Sequence, residues 1–308
     1  VGWRFQLWVS LKKDFQLWKI MIGEAIPLGG GLLLRQAGWQ LDSLLLYWLA
    51  DSYSVGLFGG PYRLLLAVRL LSMILVLPLY PGLVRQAKTS LPEFWSSYRQ
   101  ALKWLICLGA PGAVVFIFAP ETVIRTLLGA KFLASTAALQ WFGLAFVPMF
   151  VSALFPYVFT ALGRQRSFFL ATGIALVLRL GFELWLIPKF GYMSACIIAA
   201  WCEILPFGLF ILMLDWGGIG ASIVDSFLKP TIAALAMGAT LYLGQKYFGE
   251  TGQLAPRLLT FVLSGVVYLA FLFGARSFSK GELAAAKEAL SFLGPYFRSL
   301  RKAATPDK

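Results

Sequence analysis

The chain has 308 residues, of which 59% are hydrophobic and 16% aromatic but only 13% charged, with a mean hydropathy of +0.76. A soluble domain holds about 45–50% apolar and about 25% charged residues, so this composition excludes an ordinary soluble fold. The net charge of +13 sits mainly between apolar runs rather than interleaved with aromatics, which suits the basic loops of a membrane protein better than a nucleic-acid platform.

The first stretch, VGWRFQLWVSLKKDFQLW, is amphipathic and lacks the basic start, short apolar centre and small-residue cleavage site of a signal peptide. It opens on Val1, and the expectation is a chain missing an N-terminal part. Apolar runs of about 20 residues then follow, enough to cross about 30 Å of hydrocarbon at about 1.5 Å per residue. They predict an all-α polytopic membrane protein with about eight transmembrane helices, near 20–50, 55–84, 100–120, 133–162, 166–188, 192–214, 227–247 and 256–275. Pro27 with Gly29, Gly30 and Gly31 gives a reason for a bend in the first, and Pro111, Pro148, Pro156 and Pro206 interrupt later ones. Such breaks are tolerated where a neighbouring helix or a wet cavity satisfies the freed backbone groups. The domain reading is a cytoplasmic amphipathic segment over 1–18, a six-helix lobe over 19–215, two additional helices over 216–275 and a basic amphipathic tail over 276–308. The tail suits a helix lying on anionic lipid, with docking of a partner enzyme as the alternative.

With the N-terminus inside, the inner loops collect Arg4, Lys12, Lys13, Lys19, Arg85, Lys88, Arg99, Lys103, Arg164, Arg166 and Lys229, together with the basic residues of the tail. The outer loops hold Arg125, Lys131, Lys189, Lys246 and Arg257. This positive-inside bias places both ends in the cytoplasm.

Three cysteines, Cys107, Cys196 and Cys202, fall inside expected spans as small apolar residues, in no disulfide or metal-binding spacing. There is no histidine, the commonest general base and metal ligand.

Eight charges lie within the spans: Glu24, Arg35, Asp42, Arg63, Arg69, Arg179, Glu183 and Glu203. An ion facing lipid costs about 2.5–3.5 kcal/mol even on the insertion scale, so these must face one another or an aqueous cavity. Glu24, Arg35 and Asp42 are eleven and seven residues apart, each step about 20° from whole turns, so they share one stripe of the first helix with Gly31 and Gly38. Thr172, Arg179 and Glu183 share a face, and Arg179 and Glu183 are spaced to pair. Arg69 shares a face with Tyr62, while Arg63 points elsewhere and snorkels. One reading makes these charges internal ion pairs that lock helices together. The other makes Arg35, Arg69 and Arg179 a cationic cavity for an anion, since the planar guanidinium fork fits phosphate. Glu24, Asp42, Glu183 and Glu203 are then charge partners, or exchange H+ or Na+ with a gradient.

The run QLDSLLLYWLADSYSVGLFGGPYRLLLAVRLLSMILVLPLYPGLVRQ resembles the start of the second lobe of bacterial Wzx-like oligosaccharide flippases, in the multidrug/oligosaccharidyl-lipid/polysaccharide exporter superfamily. Asp42, SVGLFGGPYRLLLAVRL, Pro81 and Arg85 stand where that pattern has its Asp, its turn and helix, its Pro and its basic loop, with Phe58 in place of the usual Tyr. PETVIRTLLGAKFLASTAALQWFGLAFVPMFV resembles the family's next segment. Beyond it Gly163, LIPKFG (Leu186–Gly191), Ala195 and Glu203 match, while Arg179 and Glu183 stand at the family's Asn positions and Ser194 replaces a Gly. The resemblance covers about residues 15–215 and is carried over the last two spans by hydropathy alone.

It implies the second lobe of a two-lobe flippase with two extra helices and the first lobe absent. Such a protein moves a polyprenyl-diphosphate-linked oligosaccharide across the bacterial cytoplasmic membrane for polysaccharide or lipopolysaccharide biosynthesis, with both ends cytoplasmic. Expected partners are the lipid-linked oligosaccharide, membrane lipids, and the polymerase and glycosyltransferases of the same route, with no nucleic acid. Trp39, Tyr47, Trp141 and Tyr157 are candidates to stack on sugars, or else interfacial anchors and core. No cofactor or metal is implied beyond coupling to H+ or Na+. Two alternatives share the superfamily: a flippase of lipid II, the peptidoglycan precursor, and a drug or cation antiporter, whose cavity would be dominated by acids. An enzyme is not expected, because the outer loops are short and Asp51 and Glu121 are isolated.

Overall fold

The computed structural model describes residues 15–213, 220–248 and 254–274, which form helices throughout with no strand among them. The expected segment 1–18 and tail 276–308 therefore lie mainly or wholly outside the described residues. The long helices are α1 (Phe15–Leu49), α2 (Ser52–Thr89) and α3 (Leu91–Phe118). A short α4 (Pro120–Leu127) and a 3-10 turn (Ala130–Ser135) lead into α5 (Thr136–Ser152) and α6 (Phe155–Ala161). Then come α7 (Gln165–Phe190), α8 (Tyr192–Met213), α9 (Gly220–Phe248) and α10 (Leu254–Gly274). This is an all-α multi-pass membrane architecture. Among the described residues five stretches are long and apolar enough to cross a bilayer: α2, α3, 130–161, α7 and α8. The first helix is longer than any of these but α2, yet Arg35, Gln36, Gln40 and Asp42 dilute it. Its lipid-suited character survives on one side only, where Leu32, Leu33, Leu44, Tyr47 and Trp48 are exposed.

Short, chemically legible joints connect the helices. Asp51 caps α2 by accepting a hydrogen bond from the Ser54 N–H at 2.9 Å. Gly191, at φ +61, ends α7 within LIPKFG and lets α8 begin at once, a conformation that β-carbons resist. Helix α3 starts at Leu91, ahead of the apolar run, because Ser90 and Pro92 favour a helix start and its early turns already bury Phe94 and Tyr98. The α4 segment, PETVIRTL, is too short and mixed to signal a helix by hydropathy.

Lipid tails provide no hydrophobic drive between helices, so close packing and polar contacts hold them. Glycines supply the closeness. Phe146 and Phe150 of α5 lie over Gly112 and Gly109 of α3, while Gly143 sits so tightly that a Cβ would come 2.7 Å from Ile117. The α1–α7 pair runs parallel: Gly31 faces Phe168, and Gly38 lies opposite Leu176 and Arg179. One core cluster runs from α1 to α8, with Phe155, Phe159, Phe168 and Phe210 in mutual ring contact. A second cluster joins α9 and α10 to the flank of α3 through Cys107, Val114, Met237, Leu241, Tyr268 and Leu272.

Prolines inside the helices explain two contacts between elements. Pro111 has no N–H to give the Cys107 carbonyl four residues earlier, and the buried Tyr268 hydroxyl donates to that carbonyl at 2.7 Å. The span expected over 133–162 is present as 130–161, with a break between α5 and α6 where Ala153 and Leu154 donate to carbonyls only three residues back. Pro156 is the cause, and it leaves the Ser152 carbonyl without its helical donor.

Candidate functional site

The donor that reaches the Ser152 carbonyl is Arg35 of α1. Its Nη1 donates to that carbonyl at 2.9 Å and its Nη2 to the Ser152 hydroxyl at 2.6 Å. The same Nη2 lies 3.8 Å from Glu203 Oε2 on α8. The other Glu203 oxygen accepts from Trp39 Nε1 at 3.0 Å, and the guanidinium of Arg69, on α2, lies 3.3 Å above the Trp39 ring. Arg35, Trp39, Ser152, Glu203 and Arg69 thus tie α1, α5, α8 and α2 together through one continuous polar chain. A second network lies deeper between α1 and α7. There Arg179 donates through Nη2 and Nε to both oxygens of Asp42, and Nε also reaches Glu183 Oε1 at 3.3 Å. Asp42 and Glu183 are fully buried. Arg179 lies fourteen residues from the start of α7, about 21 Å along its axis, so the cluster sits near the middle of that helix.

The bookkeeping of charge is informative. Three arginines, Arg35, Arg69 and Arg179, meet three acids, Asp42, Glu183 and Glu203, so the cluster is formally neutral. The balance is uneven inside it. The Asp42–Arg179–Glu183 group carries one excess negative charge, and the Arg35–Glu203–Arg69 group one excess positive. Orphaned atoms mark both ends: Glu183 Oε2 and Arg69 Nε are buried without a hydrogen-bond partner among the described residues. Between the groups lies a cavity of about 40 Å³ lined by Leu34, Arg35, Arg179 and Glu203 among others. At about 10–15 Å³ of such volume per water, it has room for a few waters.

Of the eight charges that the sequence places within spans, six are therefore brought together, and they meet as ion pairs and stacked cations beside a space too small for a sugar. Glu24 stands apart, and the shared stripe does not gather it. It is exposed, eleven residues from Arg35, which is about 16 Å along the axis: sharing a helix face does not mean sharing a depth. Its neighbours are Lys19, Arg164 and Arg166 around a second cleft. Arg63 is exposed, as its direction on α2 predicts. Of the four aromatics only Trp39 joins the site; Tyr47 is 62% exposed, Trp141 packs against the core and Tyr157 meets Tyr80. Ser152 was missed. Its signal was present: a lone hydroxyl in an apolar run, four residues before a proline.

No family model and no curated protein matches the sequence. Among solved structures the fold is similar to that of the lipid II flippase MurJ in an inward closed conformation, with a TM-score of 0.63 and 15% identity, over 85% of this chain and 54% of that one. This chain spans about half the length of that flippase.

Proposed function

We propose that this chain is part of a membrane flippase that carries a polyprenyl-diphosphate-linked oligosaccharide across the bacterial cytoplasmic membrane, with both chain ends on the cytoplasmic side. It transports rather than catalyses. The observation that carries the reading is a balanced guanidinium–carboxylate cluster midway along α7, set within a fold similar to that of a lipid II flippase. A diphosphate crossing hydrocarbon needs cations at that depth, and those cations need counter-charges while no cargo is present.

Arg69 is the cation best placed for the cargo. It forms no ion pair among the described residues, rests on Trp39 and keeps an unpartnered Nε. Arg35 and Arg179 are engaged by acids, and a cargo phosphate reaches them by displacing Glu203 or Asp42. That exchange frees a carboxylate, which is where H+ or Na+ would couple to transport. Glu183, already short of a partner, is the first candidate, with Asp42 and Glu203 behind it. Glu24 lies too far from the arginines to take part in the exchange. Glycosyltransferases and a polymerase are the expected partners of such a route.

Replacing Arg69 or Arg35 by Ala in the cell should abolish surface polysaccharide while the protein still inserts in the membrane. Normal polymer in both variants would sink the cationic path. The alternative reading is lipid II, the cargo of the structural neighbour. Loss of the chain would then stop peptidoglycan export and leave other surface polymers intact. Drug efflux without any polymer defect would instead identify an antiporter, which the equal numbers of arginines and acids disfavour.

A further inference from the structure

A second cleft, of about 460 Å³, opens at the end of the bundle where the parallel helices α1 and α7 both begin. It is lined by Lys19 and Glu24 of α1 and by Arg164, Arg166 and Ser167 at the start of α7. Gly163, at φ +68, makes the tight turn from α6 that presents the two arginines toward α1. Among the described residues three cations thus face one carboxylate, a local excess of two positive charges. This contrasts with the mid-depth cluster, where the charges cancel.

The surroundings select the kind of ligand. Trp18, Ile22 and Ile26 on α1 and Phe169 and Leu170 on α7 are large apolar side chains exposed beside the cleft. A water-soluble anion has no use for such a flank, whereas acyl chains do. Tryptophan next to lysine is also the usual pairing at the headgroup level of a bilayer. The loop bias of the sequence puts this end on the cytoplasmic side, where basic pockets between transmembrane helices hold anionic lipid heads.

We infer that this cleft is a binding site for the phosphate of a lipid headgroup in the inner leaflet. Lys19, Arg164 and Arg166 hold the phosphate oxygens, the α1 and α7 flanks receive the tails, and Glu24 limits affinity. The site is separate from the Arg69 path and does not depend on what the protein transports.

The test is native mass spectrometry of the purified chain in detergent, titrated with dihexanoyl phosphatidylglycerol, with phosphatidylcholine of equal chain length, and with inorganic phosphate. Phosphatidylglycerol should bind at least tenfold more tightly than phosphatidylcholine or inorganic phosphate. A surface cation contributes about fivefold to such binding, so K19Q/R166Q should weaken phosphatidylglycerol about 25-fold. E24Q should tighten it about fivefold, and K88Q, at the end of α2, should leave it unchanged. Equal binding of the two lipids, inorganic phosphate binding as tightly as lipid, or a double variant that binds like the parent would each overturn the assignment. Should the double variant fold poorly, the expected gain in E24Q decides alone, and its absence refutes the site.

Discussion

Arg179 shows how much a single side chain carries in a low-dielectric interior. It is 5% exposed and satisfies both oxygens of Asp42 while also touching Glu183. Removing one partner of a buried pair leaves an uncompensated charge, at about 3–5 kcal/mol. R179Q is therefore expected to lower unfolding stability in detergent by about that amount, and D42N by a comparable one. The double variant D42N/R179Q should recover part of the loss. Glu183 is predicted to behave differently. Its second oxygen has no hydrogen-bond partner among the described residues, and it supplies the excess negative charge of its group. E183Q should thus be neutral within about 1 kcal/mol, or stabilising. Thermal or denaturant unfolding of the four proteins checks the order. A loss in E183Q as large as in R179Q would mean that Glu183 is a full partner in the pair.

Elements are joined here by repairing what proline breaks. Arg35 satisfies the Ser152 carbonyl that Pro156 freed, and Tyr268 satisfies the Cys107 carbonyl that Pro111 freed. Each bond ties one helix to another across the core: α1 to the α5–α6 break, and α10 to α3. A buried carbonyl left unsatisfied costs about 1–3 kcal/mol. R35A and Y268F are both expected to destabilise by about that much. The proline mechanism makes a sharper prediction: P156A restores an N–H near Ser152, and P111A one near Cys107. R35A/P156A and Y268F/P111A should therefore regain stability relative to R35A and Y268F, as read by unfolding midpoints. If neither proline replacement restores anything, the two hydrogen bonds serve another purpose than capping. Gly143 tests packing in the same way. G143A places a methyl against Ile117 and the Ala113 carbonyl, and should cost about 1–3 kcal/mol of overpacking between α3 and α5.

At the scale of the whole molecule, the α9–α10 pair meets the rest of the described residues mainly along α3, through a smaller cluster capped by the Tyr268 bond, with Gln245 of α9 also donating to the Thr122 hydroxyl of α4. Y268F should therefore loosen α9 and α10 selectively. Hydrogen exchange in detergent is expected to speed up there before it does in α5 or α8. Uniform acceleration would show that the two groups unfold as one. The mid-depth cluster works at this scale too, since it draws charges from α1, α2, α7 and α8 and a hydroxyl from α5. With only about 40 Å³ of open space beside it, the cluster is a lock on five helices, and cargo passage requires that some of those pairs separate.

Most of the architecture was legible in the residues because hydrocarbon is an unforgiving solvent. Twenty-residue apolar runs have to become helices, and loops announce themselves by Lys, Arg, Gly and Pro. Six of the seven charges expected at the site do meet, for the same reason: ions in lipid must find each other. What the chain alone left open was who pairs with whom. The period of a helix assigns a direction but not a depth or a neighbour, so Glu24 looked like a companion of Arg35, and the Arg179–Glu183 spacing concealed the tighter Asp42 partner. The break after Ser152 likewise needed α1 beside it to show why the freed carbonyl is harmless. Pairing across helices is set by packing in three dimensions, where the glycines of α1 let α7 come close enough for the Arg179 guanidinium to reach a carboxylate 137 positions away.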